Sequence, residues 1–329
     1  VEAKYYKKIG DDTVQCLLCP HLCRIAPDKA GLCRVRRNTG GRLEASGYGR
    51  VVSLSMDPIE KKPLFHFHPG KQILSTGPNG CNLECQFCQN WEISQKEVPT
   101  EYVEPQKLVD LAMAHNSSGI AYTYTEPFVW FEYLLDVCRL AREKGLVNVL
   151  VTNGTVNREP LEELLPLIDA MNIDLKSMDA DFYKKTCRGD LQTVLNTIRT
   201  AHGRCHVELT NLVIPGLNDS DKNFCDLVGF VKSLDPLIPL HISRYFPQYK
   251  TRIGPTPEST LLRFYQKASA DLKYVYLGNV SLPGTEDTKC PQCGNLLIAR
   301  RGYRTSITGI MNNNCRNCGR KADIVGLDE

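Results

Sequence analysis

Between residues 71 and 270 the chain alternates short apolar runs with amphipathic stretches, six times over. The runs are KQILSTG (71–77), GIAYTYT (119–125), VNVLVTN (147–153), AMNIDLK (170–176), HVELTNLVI (206–214) and LHISRY (240–245). Helical periodicity fills 105–116, 127–144, 158–167, 191–202, 220–234 and 257–270. Short strands buried on both faces read as nearly continuous apolar runs, and strand-helix repeats in succession imply a parallel sheet covered by helices. The expected fold is therefore α/β, a partial (β/α)6 TIM-like barrel. Such a sheet gathers its chemistry at the C-terminal ends of its strands, where Glu126, Asn153, Asp174, Lys176, Pro215 and the residues around His241 fall.

Outside the barrel the chain is organised by cysteine. Of its 15 cysteines, four lie at Cys16, Cys19, Cys23 and Cys33, three at Cys81, Cys85 and Cys88, and four at Cys290, Cys293, Cys315 and Cys318. No run approaches the roughly 18 consecutive apolar residues of a membrane helix, and VEAKYYKKIG at the start lacks the apolar core of a signal peptide. The expected location is the cytoplasm, with no membrane partner, and tight cysteine clusters there read as metal sites rather than disulfides. A net charge of +3 offers no strong field for nucleic acid. Three units follow: a Cys-rich N-terminal lobe (1–70), the barrel (71–284) and a C-terminal zinc-ribbon-like domain (285–329).

The stretch GCNLECQFCQNWE, residues 80–92, supplies three thiolates and not four. Three can hold three irons of a [4Fe–4S] cluster and leave the last iron open to a small molecule. A structural zinc site, or a four-ligand cluster that borrows a distant cysteine, are the alternatives. Gly80 and Phe87 favour a tight loop wrapped round a cluster.

This CxxxCxxC spacing, with Phe87 before the third cysteine, resembles the radical S-adenosylmethionine superfamily. GCNLECQFCQNWEIS, DPIEKKPLFHFHPG, AYTYTEP and the C-terminal double CxxC look like the AmmeMemoRadiSam system radical SAM enzymes, relatives of pyruvate formate-lyase activating enzyme. The resemblance implies a cluster on Cys81, Cys85 and Cys88 that binds S-adenosylmethionine, and its reductive cleavage to a 5′-deoxyadenosyl radical that takes a hydrogen atom from a substrate. It also implies an electron donor such as flavodoxin or ferredoxin, and a functional link to AMMECR1-like and Memo-like proteins. Carried over residue by residue, Glu126 and Asp174 would address the methionyl ammonium group and Lys176 the carboxylate. Asn153 would approach the ribose, Val213, Ile214 and Pro215 the adenine, and His241 the ribose and methionyl group. TYTEP departs from the family's GGEP by placing Tyr124 and Thr125 where the glycines stand.

CPQCG (290–294) and CRNCG (315–319) form two knuckles of the kind that hold a tetrahedral Zn²⁺, with rubredoxin-type iron the competitor. The basic RRGYR nearby reads as a solvated face. CLLCPHLC and GLC in the N-terminal group suit zinc or a further iron–sulfur cluster, and a small independent lobe is expected there. Cys138 sits on the apolar stripe of its helix. Cys187, in a polar loop near the expected barrel mouth, is a candidate hydrogen-atom donor to a product radical. His66 and His68 either line that mouth or end a strand. Two classes of function follow: a radical enzyme acting on an unidentified substrate, a protein among the candidates as in glycyl-radical activation, or a non-enzymatic iron–sulfur and zinc protein serving as redox relay or scaffold.

Overall fold

The computed structural model describes residues 1–327. Its main sheet contains β1 (Arg50–Pro58), β2 (Gln72–Pro78), β3 (Gly119–Tyr122), β4 (Val147–Thr152), β5 (Ala170–Asp174), β6 (His206–Val213), β7 (Leu240–Arg244) and β8 (Val275–Gly278). These strands lie side by side in chain order, and a short strand at Glu101–Tyr102 extends the edge at β1 to make nine. Strands β2 to β8 are all parallel, whereas β1 runs antiparallel to β2. Helices α1 (Pro105–Ala114), α2 (Phe131–Glu143), α3 (Arg158–Leu164), α4 (Leu191–Ala201), α5 (Asp221–Leu234) and α6 (Glu258–Asp271) cross between successive strands. Asp190 and Ser220 cap α4 and α5 by accepting from the amides of Thr193 and Asn223.

All six apolar runs form strands, so the partial barrel stands. The sheet has one more parallel strand than expected, β8, the four-residue run VYLG that follows closely on α6. Strand β1 also escapes the sequence pattern, because much of it is only half-buried and its residues mix apolar with polar. No helix among the described residues is long and apolar enough to cross a membrane.

Two expectations about domains need correction. A boundary at residue 70 would cut the sheet, because β1 pairs along its length with β2. Nor is the N-terminal lobe independent: Val14, Cys16, Leu18, Ile25 and Leu43 belong to the same buried cluster as the barrel's Leu74, Leu150 and Leu209. The C-terminal unit does own a small core, in which Leu297, Ile298 and Ile310 pack with Cys290 and Cys315.

The link from β1 to β2 closes one end of the barrel. Pro63 accepts at its carbonyl from Asn172 of β5, and the amides of Phe65 and His66 donate to Glu208 near the start of β6. The other end, at the strand C-termini, stays open.

Candidate active site

A cavity of about 540 Å³ opens at the C-terminal ends of the strands. The loop after β2 brings Cys81, Cys85, Phe87 and Cys88 to it, and the ends of β4 and β5 bring Asn153, Asp174 and Lys176. Residues from three segments far apart in the chain thus share one chamber. Lys176 donates to Asp174 Oδ2 at 2.7 Å, as side chains two apart on one strand face can. Burial alone works against the lysine's charge, but Asp174 and the thiols of Cys85 and Cys187 outweigh it and hold the ammonium protonated.

Two of the three loop thiols, Cys81 and Cys88, have polar partners. Leu83 N lies 3.4 Å from Cys81 Sγ, Asn153 Nδ2 lies 3.6 Å from the same sulfur, and Ser94 Oγ lies 3.2 Å from Cys88 Sγ. Such outer partners orient ligating sulfurs and tune the metal they hold. Burial drives the thiols of Cys81 and Cys88 above their ordinary range, whereas Cys85 is raised first by its contact with the Cys187 thiol and then by burial. Metal binding would supply the positive charge that lets these buried sulfurs ionise.

Sulfur spacing tests which metal fits. A tetrahedral zinc at about 2.3 Å from each sulfur draws its ligands to roughly 3.8 Å from one another. Among the described residues, the group of ligand atoms that all lie within 4.8 Å of one another is Cys290, Cys293, Cys315 and Cys318. There Cys290 Sγ stands 3.6 Å from Cys318 Sγ, and Cys293 Sγ 3.6 Å from Cys315 Sγ. Gly294 and Gly319, at φ +73° and +74°, make the two knuckle turns. The C-terminal four fit a single tetrahedral ion; Cys81, Cys85 and Cys88, spread around a shared cavity, fit a larger cluster. If the C-terminal four hold an ion, stripping it with a strong chelator is expected to open residues 288–322 to protease while the barrel strands stay protected. Unchanged cleavage in the metal-free chain would show that the ion contributes no folding energy.

Other expected site residues lie elsewhere. Glu126 is fully buried behind the cavity wall, where it accepts from Thr152 Oγ1 (2.8 Å), Asn153 N (2.8 Å) and Phe128 N (3.0 Å). Burial pushes its carboxyl up to about 7 against those donors. Val213 and Ile214 are buried in the core and Pro215 is half-buried; none lines the cavity, which takes Thr210 and Leu212 from β6 instead. His241 also lies off the cavity, second in β7, and its Nε2 donates to Glu208 Oε2 at 2.6 Å near the closed end. Ser243, one inward position further on, is the β7 residue that reaches the chamber.

Cys187 is not in an exposed loop. It is fully buried at the end of a π-helical turn, Tyr183–Cys187, and its carbonyl accepts from Glu84 N at 2.9 Å. It backs Cys85 rather than lining the cavity, which removes the geometric basis for hydrogen donation to a product radical. His66 and His68 belong to the closed end too: His66 Nε2 meets Tyr276 Oη at 2.6 Å, and His68 N donates to Val325 O.

The sequence reading missed Lys62, a cavity residue that is 2% exposed. Its ammonium pairs with Asp57 at 2.7 Å and lies 4.9 Å from the Tyr124 ring centroid, while Tyr124 Oη donates to Asp57 at 2.8 Å. Tyr124 has φ +68°, a left-handed conformation uncommon for a residue with a bulky side chain, and its contacts with Asp57 and Lys62 hold the ring there. Nothing in the spacing of Asp57, Lys62 and Tyr124 announces that meeting.

A family profile described as "Radical SAM superfamily" matches residues 76–228. The uncharacterized protein MJ0808 of Methanocaldococcus jannaschii is 45% identical over 98% of this chain and 99% of its own. The pyruvate formate-lyase-activating enzyme of Clostridium pasteurianum is 27% identical, covering 49% of this chain and 72% of that enzyme. MJ1227 of M. jannaschii, provisionally named a glycyl-radical enzyme activating enzyme, is 30% identical over 47% of this chain and 67% of its own.

Proposed function

Because the chain belongs to the radical SAM superfamily and is an enzyme of the activating-enzyme type, we propose that it reductively cleaves S-adenosylmethionine and abstracts a hydrogen atom from a substrate at the open end of its barrel. The observation that carries this reading is the meeting of three thiols and the Asp174–Lys176 pair on one cavity. A [4Fe–4S] cluster on Cys81, Cys85 and Cys88 supplies, when bound, one electron to the sulfonium of S-adenosylmethionine, which parts into methionine and a 5′-deoxyadenosyl radical.

The chain's own residues do the rest. Lys176, protonated and 12% exposed, offers a charge-assisted donor to a carboxylate, and Asp174, 35% exposed, an acceptor to an ammonium group. The half-buried Leu212 gives β6 an apolar face in the chamber. Asn153 does not reach freely into the cavity: Nδ2 donates to Asn82 Oδ1 at 2.9 Å and Oδ1 accepts from Thr155 N at 2.8 Å, so it braces the cluster loop against β4. Glu126 fixes the same corner by holding Asn153 N. The activating-enzyme relatives point to a protein segment as the substrate class, with flavodoxin or ferredoxin as the electron source.

The test is anaerobic assay of the reduced chain with S-adenosylmethionine. Formation of 5′-deoxyadenosine and methionine in equal amounts is expected; a loaded, reduced cluster that yields neither, with or without candidate protein substrates, would sink the reading. Lys176→Met is expected to weaken S-adenosylmethionine binding by about tenfold to a hundredfold, the worth of one hydrogen bond to a charged group. An unchanged affinity would remove Lys176 from the ligand set.

A further inference from the structure

The N-terminal cysteines form a second chamber. Cys16, Cys19, Cys23 and Cys33 all line one pocket of about 20 Å³, with Leu18, Arg36 and Asn82 among its other walls. That volume is room for one water-sized body. A zinc ion bound by four sulfurs at about 2.3 Å leaves no such room, since its ligands close on one another. The C-terminal four show the closed arrangement, with sulfurs 3.6 Å apart, and the N-terminal four do not join any group within 4.8 Å. Two four-cysteine sets in one chain therefore differ in aperture, and the wider one suits a polynuclear centre.

A separate observation points into the same chamber. Arg36 is 1% exposed, and its Nη1 pairs with Glu132 at 3.0 Å while Nη2 donates to Lys4 O. Its Nε, buried, has no hydrogen-bond partner. An orphaned buried donor costs on the order of 1–3 kcal/mol and needs an explanation. The sulfur of a cluster would be an acceptor for it.

One residue separates this chamber from the active site. Asn82, 2% exposed, accepts at its carbonyl from His21 Nε2 at 2.7 Å, and its Oδ1 accepts from Asn153 Nδ2, the group that also lies 3.6 Å from Cys81 Sγ. The contact is close enough to demand glycine: a Cβ on Gly80, at φ +143°, would stand 2.4 Å from Cys33 O.

We propose that Cys16, Cys19, Cys23 and Cys33 hold a second iron–sulfur cluster through which electrons reach the active-site cluster. One electron leaves a low-potential one-electron carrier of the flavodoxin or ferredoxin class, reduces the N-terminal cluster, and passes on to the cluster of Cys81, Cys85 and Cys88. No bond forms or breaks and no proton moves in this transfer. Its destination rests on the function proposed above; the identity of the N-terminal metal does not.

The full chain carrying Cys81→Ala, Cys85→Ala and Cys88→Ala, assembled anaerobically with iron and sulfide, separates the two. It is expected to keep about half of the wild-type iron and acid-labile sulfide, as a polynuclear centre by Mössbauer spectroscopy. Loss of all sulfide, with a second zinc per chain or with empty thiols, overturns the proposal. Cys19→Ser with Cys23→Ser tests the transfer: cleavage driven by reduced flavodoxin is expected to be lost while cleavage driven by dithionite persists. Equal cleavage under both, or equal loss under both, overturns the relay, and failure of the wild type with dithionite overturns the active-site reading instead. Should that variant not fold, the fully reduced wild type still decides, because two adjacent clusters give a spin-coupled resonance that the triple variant lacks, and an uncoupled spectrum overturns the relay.

Discussion

Cys85→Ala is expected to abolish formation of 5′-deoxyadenosine and methionine while leaving the chain folded. Losing an outer partner of a metal ligand typically costs about 10–100-fold in metal affinity or activity, so losing one of three ligands should cost more than about 100-fold. The nearby thiol of Cys187 is poorly placed to take over. Its carbonyl is held by Glu84 N and the neighbouring Thr186 carbonyl by Gln86 N, which pins the turn behind the loop, and its side chain does not line the cavity. Circular dichroism should match the wild type, because Cys85 sits in a loop outside the strand ladder. Wild-type cleavage by the variant would mean that the cluster is not held by this loop. Cleavage that vanishes only when Cys187→Ala is added would identify Cys187 as a substitute ligand.

The strands were legible because burial on both faces writes a nearly continuous apolar run, and the cluster cysteines because their spacing is local and covalent. Asp174 and Lys176 were legible for a related reason: two residues apart on a strand, side chains share a face whatever the rest of the fold does. Depth along a strand is another matter. His241 and Ser243 both point inward from β7, yet the first meets Glu208 and the second meets the cavity. No periodicity distinguishes the closed end from the open one. At β6 the cavity takes Thr210 and Leu212, so Val213 misses it by parity and Ile214, of the same parity, by depth; a polar Thr210 within an apolar run was the available signal. Cys187 and Lys62 were illegible because Glu84, which meets the first, and Tyr124, which meets the second, lie about 60 to 100 residues away in sequence.

Glu208→Ala is expected to destabilise the fold by about 3–5 kcal/mol, which is a large share of the roughly 5–15 kcal/mol that holds a domain together. The carboxylate is fully buried and accepts from the amides of Phe65 and His66 at 3.0 and 2.7 Å; His206 and His241 approach it at 2.9 and 2.6 Å. Although burial opposes its charge, the two histidines outweigh that cost and hold the carboxyl well below its ordinary range. Alanine would leave two amides and two imidazoles facing a void. Glu208→Gln keeps one accepting oxygen but turns a donor toward the other partners, so a smaller loss of about 1–3 kcal/mol is expected. Urea midpoints measure both, and an alanine variant within about 0.5 kcal/mol of wild type would show that the closed end is held by other contacts. The same network predicts acid sensitivity. Burial lowers the His66 pKa to about 4, so between about 6.5 and about 4 the unfolded chain binds a proton that the folded chain refuses, and stability falls as pH falls through that window. Glu208 works in the same direction but later: its contribution is present above the ordinary carboxylate pKa and is lost only below it. His66→Phe should therefore flatten the stability profile between pH about 6.5 and about 4 while leaving the steeper loss below it. An unflattened profile would assign the acid response to other groups.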